Sequence, residues 1–452
     1  MLKGMSVAAT TLGCKVNQAE TDSMLDMLKA AGANIVEFDE KADIYIVNTC
    51  SVTNIADKKS RQMLHRARKM NPDGIVIAAG CYVQSAREIL EQDEAIDIVI
   101  SNNKKKSITE IVNDYINVRN NGKNAPGKDH EAMEYFVDIS RETEYEEMGG
   151  HVPVGHTRAY VKIQDGCNQF CSYCIIPYVR GRIRSRSQEA ILAEVSELAE
   201  AGIKEVVLTG IHISSYGKDK NNEGALIELI EAISKIKGIK RIRLGSLEPG
   251  IITEEFVERI SSNSKVCPHF HLSLQSGCDS VLKRMNRKYT CKQYFEKCDM
   301  LRKAYKSPAL TTDVIVGFPG ETEEEFAETV RYLTELNLYE MHIFKYSPRK
   351  GTVAAAMKEQ VAPEIKNERS DVLLKLAHDN KTAYEAQFEG CELEVLVEEV
   401  VKKDNKTYLR GHTERYMDIL IDVGDISMPE RFVNSFVYVT YTQNGGNLPL
   451  LL

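Results

Sequence analysis

Two kinds of hydrophobic pattern alternate along the first 120 residues of this chain. Short, fully apolar runs such as IYIV at 44–47 and IVIAA at 75–79 have the length and composition of buried strands. Segments at 18–31 and 54–70 instead place apolar residues at helical spacing. Apolar strands that alternate with helices predict a parallel sheet covered on both faces. We therefore predict an α/β domain over residues 1–120.

The same alternation returns in the middle of the chain, where helical segments separate six strand-like runs. These runs are 159–163, 205–210, 242–246, 269–274, 312–318 and 341–347. Six β/α units predict an incomplete (β/α)6 barrel, because eight units are the closed norm, and the reacting groups of such a barrel lie at the carboxyl ends of its strands. We place the barrel at 153–380 and a linker, rich in Gly, Asn and acidic residues, at 121–152.

The last part of the chain changes to short runs of alternating apolar and polar residues. Four such runs, LEVLVEEVV, TYLRGHT, MDILIDV and FVYVTYT, follow a helical pattern at 363–388. Alternation with a period of two is typical of half-buried strands, and several short strands of this kind form a small barrel or sandwich. We predict an all-β domain over 381–447.

The amino-acid composition is typical of a globular protein with packed hydrophobic cores. The 452-residue chain is 43% apolar and 27% charged, which is ordinary for a chain with packed cores. We expect a cytoplasmic protein without a membrane segment, because neither a signal-peptide pattern nor a run of about 18 apolar residues is present. The eleven cysteines are then not expected to form disulfides. A net charge of −8 argues against a surface that is basic throughout, although it permits a local basic site.

Three cysteines lie close together after the first predicted barrel strand, in DGCNQFCSYCIIPYVRGRIRSRS. Cys167, Cys171 and Cys174 would present their thiols at the reactive end of the barrel. Three thiolates can hold three irons of a [4Fe–4S] cluster and leave the fourth iron open to another ligand. Structural zinc needs four ligands, and no fourth Cys or His is nearby. The spacing favours an iron–sulfur cluster over zinc or unliganded thiols.

Cys14, Cys50 and Cys81 are far apart in the sequence, yet each follows a predicted strand of the first domain. The carboxyl ends of parallel strands share one edge of a sheet, where ligands bind in open α/β folds. These thiols have two interpretations, a second cluster or three buried cysteines. The cysteines that belong to no predicted cluster, most of them expected to be buried small hydrophobes, are Cys267, Cys278, Cys291, Cys298 and Cys391.

Four arginines, Arg180, Arg182, Arg184 and Arg186, alternate directly after the cysteine loop. An extended segment would place them on one face. They are either a solvated run of charge or a site for phosphate or carboxylate at the mouth of the active site. Further basic residues within 58–69 and 402–415 form patches that would suit the phosphates of a folded RNA. Two histidines of the fourth strand, at 269 and 271, share a face that is either the barrel interior or a packed pair.

The C-x3-C-x2-C loop, with Tyr173 before its third cysteine, resembles the cluster loop of the radical S-adenosylmethionine (SAM) enzymes. In that family the open iron is chelated by SAM, and reduction cleaves SAM to a 5′-deoxyadenosyl radical. The resemblance implies SAM contacts at the ends of the later strands, with adenine held along 314–317. The residues at these positions are Thr209, Gly210, Ser246, Glu248, Gln275, Val314 and Gly317.

The segments TLGCKVNQAETD, NTCSVTNIADKKSR and AAGCYVQ resemble the N-terminal domain of the methylthiotransferases, and the tail resembles the TRAM domain, an RNA- or substrate-binding β-barrel. In that family the cysteines that match Cys14, Cys50 and Cys81 bind an auxiliary [4Fe–4S] cluster with a sulfur ligand. The resemblance implies two clusters, one SAM that methylates this sulfur and a second SAM that yields the radical. It also implies an electron donor such as flavodoxin or ferredoxin. The four arginines would lie beside SAM and face the substrate.

The branches of the family differ in their substrates. They act on isopentenyl-adenosine in tRNA, on threonylcarbamoyl-adenosine in tRNA, or on an aspartate of a ribosomal protein. Lys15 and Val16 resemble the threonylcarbamoyl branch, whereas the isopentenyl branch usually has Gln-Met there and the protein-modifying branch Pro-Lys. The resemblance thus implies methylthio transfer to carbon 2 of N(6)-threonylcarbamoyladenosine at position 37 in the tRNA anticodon stem-loop. The alternatives are the other two branches, or a non-catalytic iron–sulfur protein that binds tRNA.

Overall fold

The computed structural model describes residues 2–120, 135–149, 157–404, 406–424, 428–443 and 445–447. Within these ranges the chain forms a parallel sheet, an incomplete barrel and a small closed barrel, in the predicted order. The predicted fold class is therefore confirmed. No helix among the described residues is long and apolar enough to cross a membrane. Residues 121–134 and 150–152, most of the predicted linker, lie outside the described part of the chain.

The first domain is an α/β unit. Its strands are β1 Ser6–Thr11, β2 Asn34–Ile35, β3 Ile44–Thr49, β4 Ile75–Gly80 and β5 Ile98–Ile100. Its helices are α1 Lys15–Ala30, α2 Asn54–Met70, α3 Cys81–Ser85, α4 Arg87–Glu91 and α5 Ile108–Asn120. The strands are parallel in the order β2-β1-β3-β4-β5. Every residue of β3 and β4 is buried, because apolar clusters cover both faces of the sheet.

The second domain contains the six predicted β/α units. Its strands are β6 Arg158–Asp165, β7 Arg184–Ser185, β8 Glu205–Gly210, β9 Arg241–Leu244, β10 His269–His271, β11 Ala309–Val316 and β12 Glu340–Lys345. Its helices are α6 Ile176–Val179, α7 Gln188–Glu200, α8 Ala225–Ser234, α9 Glu254–Ser261, α10 Asp279–Arg284, α11 Cys291–Ala304, α12 Glu323–Leu336 and α13 Pro363–Ala386. Parallel strands β6-β8-β9 and β10-β11-β12 are joined by isolated bridges. Among the described residues β12 does not pair with β6, so the barrel is open.

The open side of this barrel is covered by the first domain, since α1 packs against β6 and β8. Alternate residues of the strands divide between two environments. In β10 and β11, Phe270 and Val314 pack outward into the main hydrophobic core. The intervening residues, such as His271 and Asp313, face the interior, which we call the lumen. The lumen is polar because these inward positions carry histidine, aspartate, lysine and arginine.

The third domain is a small barrel formed by β13 Glu392–Lys403, β14 Lys406–Thr413, β15 Asp418–Asp422, β16 Phe436–Thr442 and β17 Gly445–Asn447. Arg241 and Arg243 hold it against the amino end of the lumen. Their guanidinium groups, at the start of β9, donate to the carbonyl oxygens of Glu394, His412 and Thr413 at 3.0–3.2 Å.

Residues 135–149, assigned to the linker by the sequence, pack between the first two domains. Tyr145 donates its hydroxyl proton to the carbonyl of Lys162 at 3.0 Å. The backbone N–H of Lys106 donates to the buried carboxylate of Glu146 at 2.9 Å. This stretch therefore belongs to the interface between the domains.

Candidate active site at two cysteine triads

The barrel triad, Cys167, Cys171 and Cys174, lies in the loop that follows β6 at the carboxyl end of the lumen. The backbone N–H of Gln169 donates to Cys167 Sγ at 3.4 Å, and Arg287 Nη1 donates to Cys171 Sγ at 3.2 Å. Burial and the nearby Cys171 thiol raise the pKa of Cys174 to about 12. The loop thus brings three thiols together, and donors from the loop and from Arg287 point at two of the sulfurs.

The amino-terminal triad, Cys14, Cys50 and Cys81, lies at the carboxyl edge of the five-stranded sheet. Burial raises the pKa of Cys50 to about 11, and the thiols of Cys81 and Cys14 are close enough to add to that rise. Gly13 has a φ of +109°, and a Cβ there would lie 2.9 Å from Cys50 Sγ. Glycine therefore lets the chain pass over the thiol. The structure brings together three cysteines that are distant in sequence.

Neither triad has the geometry of a single-metal site. Among the described residues, only His271, Asp313 and His342 bring three potential ligand atoms within 4.8 Å of one another. Thiolates around one zinc ion, with Zn–S bonds of about 2.3 Å, would be closer together than that. Wider spacing suits thiolates that bind different irons of one cluster. The donor sets therefore fit iron–sulfur clusters.

Arg180 joins the amino-terminal triad to the barrel. Its side chain is fully buried, and its Nε donates to Cys81 Sγ at 3.2 Å. Its Nη1 lies 2.6 Å from Glu20 and 3.0 Å from Asp165. Arg180, followed by Lys105 and Lys162, holds the pKa of Glu20 well below its usual range against the opposing effect of burial. Arg180 thus belongs to a buried network of cations and carboxylates, and one of its nitrogens faces a sulfur.

The segment after the cysteine loop is not the extended strand that would place the four arginines on one face. Arg180 follows the short helix α6, and only Arg184 and its neighbour form a strand. Arg180, Arg184 and Arg186 are buried, and Arg186 pairs with Glu194. Only Arg182 is exposed. The expectation that the four arginines share one open face is wrong, because buried acids draw three of them into the protein.

The residues predicted to contact SAM lie at the ends of β8, β9, β10 and β11, but their environments differ. Glu248 accepts bonds of 3.0 and 2.9 Å from Arg287, the residue that also reaches Cys171. Ser246 is exposed, and Thr209 is buried, next to Gly210 at the end of β8. No motif identified Arg287 in advance, since it lies far from both partners in sequence.

Two of the residues predicted to contact SAM, Val314 and Gly317, lie on or directly after β11. The Val314 side chain is fully buried in the hydrophobic core, so it faces away from the lumen, and only its backbone is available there. Gly317 has a φ of +68°, and a Cβ there would lie 2.3 Å from Cγ of Lys366. Glycine is therefore required beneath the Lys366 side chain.

A cavity of about 240 Å³ lies beside the barrel triad. Tyr173, Cys174 and Gln275 line it from the barrel, and Val52 lines it from the loop after Cys50. Further apolar lining comes from Ile175, Ile315, Phe344 and Tyr346. Val52 and Phe344 are 55% and 47% exposed, so the apolar lining of the cavity reaches the surface.

Two family models match the chain. One, described as Radical SAM superfamily, matches residues 161–333, and one described as Uncharacterized protein family UPF0004 matches residues 6–101. Among solved structures, the radical S-adenosylmethionine methyltransferase TsrM from Kitasatospora setae has a TM-score of 0.55 at 15% identity, covering 76% of this chain and 77% of its own. That likeness concerns the fold alone.

Curated relatives are similar over nearly the whole chain. Threonylcarbamoyladenosine tRNA methylthiotransferase MtaB of Bacillus subtilis is 39% identical over 92% of this chain and 90% of its own length. The protein of that name from Aquifex aeolicus is 37% identical over 92% and 98%. tRNA-2-methylthio-N(6)-dimethylallyladenosine synthase of Thermoanaerobacter pseudethanolicus is 35% identical over 96% and 90%. With this similarity and its radical SAM domain, the chain belongs to the radical SAM methylthiotransferase family.

Proposed function

We propose that this chain adds a methylthio group to carbon 2 of N(6)-threonylcarbamoyladenosine at position 37 of tRNA, with SAM as both methyl donor and radical source. The observation that carries the proposal is one cavity bordered by a cysteine of the barrel triad and by the loop that follows a cysteine of the amino-terminal triad. Cys174 lines it directly, and Val52 lines it two residues after Cys50. The relatives named for this activity support the choice of substrate.

The six cysteines are the proposed cluster ligands. Cys167, Cys171 and Cys174 would hold a [4Fe–4S] cluster with one iron free for SAM, and the amino-terminal triad would hold a second. When bound, the first cluster supplies the electron that cleaves SAM, and the second supplies the sulfur. A radical is needed because the C–H bond of the adenine ring offers no leaving group to a nucleophile. The buried thiols lose their protons as iron binds.

The surrounding residues have positioning roles in this proposal. Arg287 would fix Cys171 and Glu248 relative to each other, because one guanidinium reaches both. Arg180 would balance the negative charge of a ligated Cys81. The residues proposed to contact SAM are Tyr173, Thr209, Gly210, Ser246, Glu248, Gln275 and Gly317, together with the backbone of Val314. Exposed Arg182 is the arginine of the loop that can meet an RNA phosphate.

The partners follow from this chemistry. A flipped adenine of a single-stranded anticodon loop can enter a cavity that a stacked base cannot reach. An electron donor such as flavodoxin or ferredoxin would reduce the clusters, and the tRNA substrate favours a cytoplasmic location. The relatives named as dimethylallyladenosine synthases make isopentenyl-adenosine the second candidate substrate.

Nucleoside mass spectrometry after an anaerobic reaction tests the proposal. The enzyme is reconstituted with iron and sulfide and given SAM, a reductant and two tRNAs, one carrying threonylcarbamoyl-adenosine and the other isopentenyl-adenosine. We expect a methylthio product on the first tRNA alone. A product on the second alone would assign the chain to the other tRNA branch. SAM cleavage without either product would point to the ribosomal protein.

A further inference from the structure

The lumen below the cavity contains a cation that the radical chemistry does not use. Lys15 is the first residue of α1 and directly follows Cys14. Its ammonium group lies 5.8 Å from the ring centre of Tyr160 and 5.7 Å from that of Tyr416. No carboxylate in the described part of the chain forms an ion pair with Lys15. The ammonium group thus faces aromatic rings, and the Glu205 carboxylate acts on it only from beyond ion-pair distance.

Two acids of the same region, Glu205 and Glu398, are already paired with arginines. Glu205 accepts two hydrogen bonds from Arg243, at 2.7 and 3.2 Å. Glu398 accepts one from Arg158 at 3.0 Å and lies 2.8 Å from His412 Nδ1. These carboxylates are therefore bonded to other cations, and neither of them forms an ion pair with Lys15.

Two polar atoms of the lumen are buried without a hydrogen-bond partner in the described residues. They are Arg158 Nη1 and His269 Nδ1. The side chain of His269 is more than nine-tenths buried, at 7% exposure. Buried polar groups that lack a partner are unfavourable, and several lining one space commonly mark a site whose ligand supplies the missing partners. A ligand with acceptor oxygens would pair with the donors among them.

Tyr416 lies beside Lys15 and His269 at the amino end of the lumen. It belongs to the third domain and has a φ of +67°, which costs free energy for a residue with a side chain. Its ring stacks on His412 at 4.5 Å and contacts His269 at 5.2 Å, with the Arg243 guanidinium 4.8 Å from its centre. The C-terminal barrel thus covers the amino end of the lumen, so we expect a ligand to enter from the carboxyl end.

We propose that Lys15, together with Arg158 and His269, binds the carboxylate of the threonylcarbamoyl group and so determines which modified adenosine is accepted. This inference rests on the proposed function. A carboxylate satisfies both the unpaired ammonium and the unpartnered donors, whereas a dimethylallyl group leaves all of them unpaired and is rejected. Because Lys15 adjoins Cys14, the substituent would be held next to the triad proposed to deliver sulfur.

The test measures binding separately from turnover. Anaerobic fluorescence anisotropy, without reductant, compares three anticodon stem-loops: unmodified, threonylcarbamoylated, and the methyl ester of the latter. We expect wild type to bind the carboxylate form about 10- to 100-fold more tightly than the ester. Lys15→Met should abolish this preference, and Lys15→Arg should restore part of it. Lys29→Met, an exposed position at the other end of the same helix, should leave it unchanged. Iron content verifies that each variant carries its clusters.

The outcomes separate the two proposals. A wild-type preference that Lys15→Met removes supports the carboxylate site, even if no methylthio product forms, in which case only the proposed function fails. Turnover on the threonylcarbamoyl substrate with an unchanged preference in Lys15→Met overturns the role of Lys15 and leaves the function intact. A wild type with neither preference nor product overturns both.

Discussion

The two cysteine triads bring three thiols together by opposite routes. Cys167, Cys171 and Cys174 come from one loop, so their proximity is already present in the sequence. Cys14, Cys50 and Cys81 are brought together only because β1, β3 and β4 are adjacent in the sheet. In-register pairing of the strands places their carboxyl ends side by side. The first triad depends on local geometry, and the second depends on the fold of a whole domain.

The arginines beside the sulfurs extend this contrast. Each triad has one guanidinium group 3.2 Å from a sulfur, Arg287 at Cys171 and Arg180 at Cys81. Arg287 belongs to the same domain as its cysteine, whereas Arg180 reaches its cysteine across a domain interface. The amino-terminal triad should therefore be the more sensitive one to changes in how the domains pack.

The largest effects should come from removing one ligand from each triad. Cys174→Ala is expected to abolish both 5′-deoxyadenosine release and the methylthio product, since both need SAM cleavage. Cys14→Ala is expected to abolish the product and to spare SAM cleavage. Each variant should lose about half of the bound iron if each triad holds one four-iron cluster. Iron analysis and chromatography of the anaerobic reaction measure these quantities.

Cys298→Ala serves as the control, because Cys298 is buried on α11 away from both triads and should keep all of the iron. Full product from Cys14→Ala would show that the amino-terminal thiols are merely buried cysteines.

The next largest effect is expected at the interface. Arg180→Met removes the cation that Glu20 and Asp165 share, although both acids keep Lys162 as a partner. Breaking a buried charge network typically costs 3–5 kcal/mol, so we expect a loss of about 3 kcal/mol in unfolding free energy. Iron should be lost from the amino-terminal triad first. Urea denaturation and iron analysis measure the two effects.

Arg66→Met is the matched control, because Arg66 forms an exposed pair with Asp39 and its loss should cost less than about 1 kcal/mol. Equal destabilisation by the two variants would contradict the structural role assigned to the Arg180 network.

Arg287→Met should have a smaller effect, limited to SAM cleavage and to the cluster of the barrel triad. Loss of a hydrogen bond to a metal ligand commonly lowers activity about 10- to 100-fold, and we expect that decrease in the rate of SAM cleavage. The electron paramagnetic resonance spectrum of the barrel cluster should change, while that of the second cluster should not. Arg284→Met, which removes a pair with Glu325 on a neighbouring helix, should leave both spectra unchanged. A wild-type spectrum for Arg287→Met would remove Arg287 from the proposed site.

The contrast between the triads also explains what the sequence can predict. The cysteine loop and the alternation of strands with helices follow from spacing and apolar runs, because both are local patterns. The convergence of Cys14, Cys50 and Cys81 required the rule that parallel strands end at one edge. The contacts of Arg287 and Arg180 with the sulfurs could not be predicted from the sequence, since their partners are distant in the chain. The arginine-rich segment was misjudged because alternation shows which residues share a face only if the backbone is extended.

The smallest effect should come from Arg182, the exposed arginine after the cysteine loop, and it should concern tRNA binding. Arg182 is exposed, with its guanidinium 4.5 Å from the Phe170 ring centre, at the edge of the cysteine loop. If it meets one RNA phosphate, Arg182→Ala should weaken tRNA binding a few-fold and lower the salt dependence of log K by about one unit. SAM cleavage should not change. Titrations of tRNA at several salt concentrations give the slope.

Arg186 is the matched control, because it is buried and paired with Glu194. A substitution there should lower the free energy of unfolding and leave the slope unchanged. An unchanged slope in Arg182→Ala would leave the loop with no arginine that contacts RNA, and the basic residues of α2 and the C-terminal barrel would then have to provide the phosphate contacts.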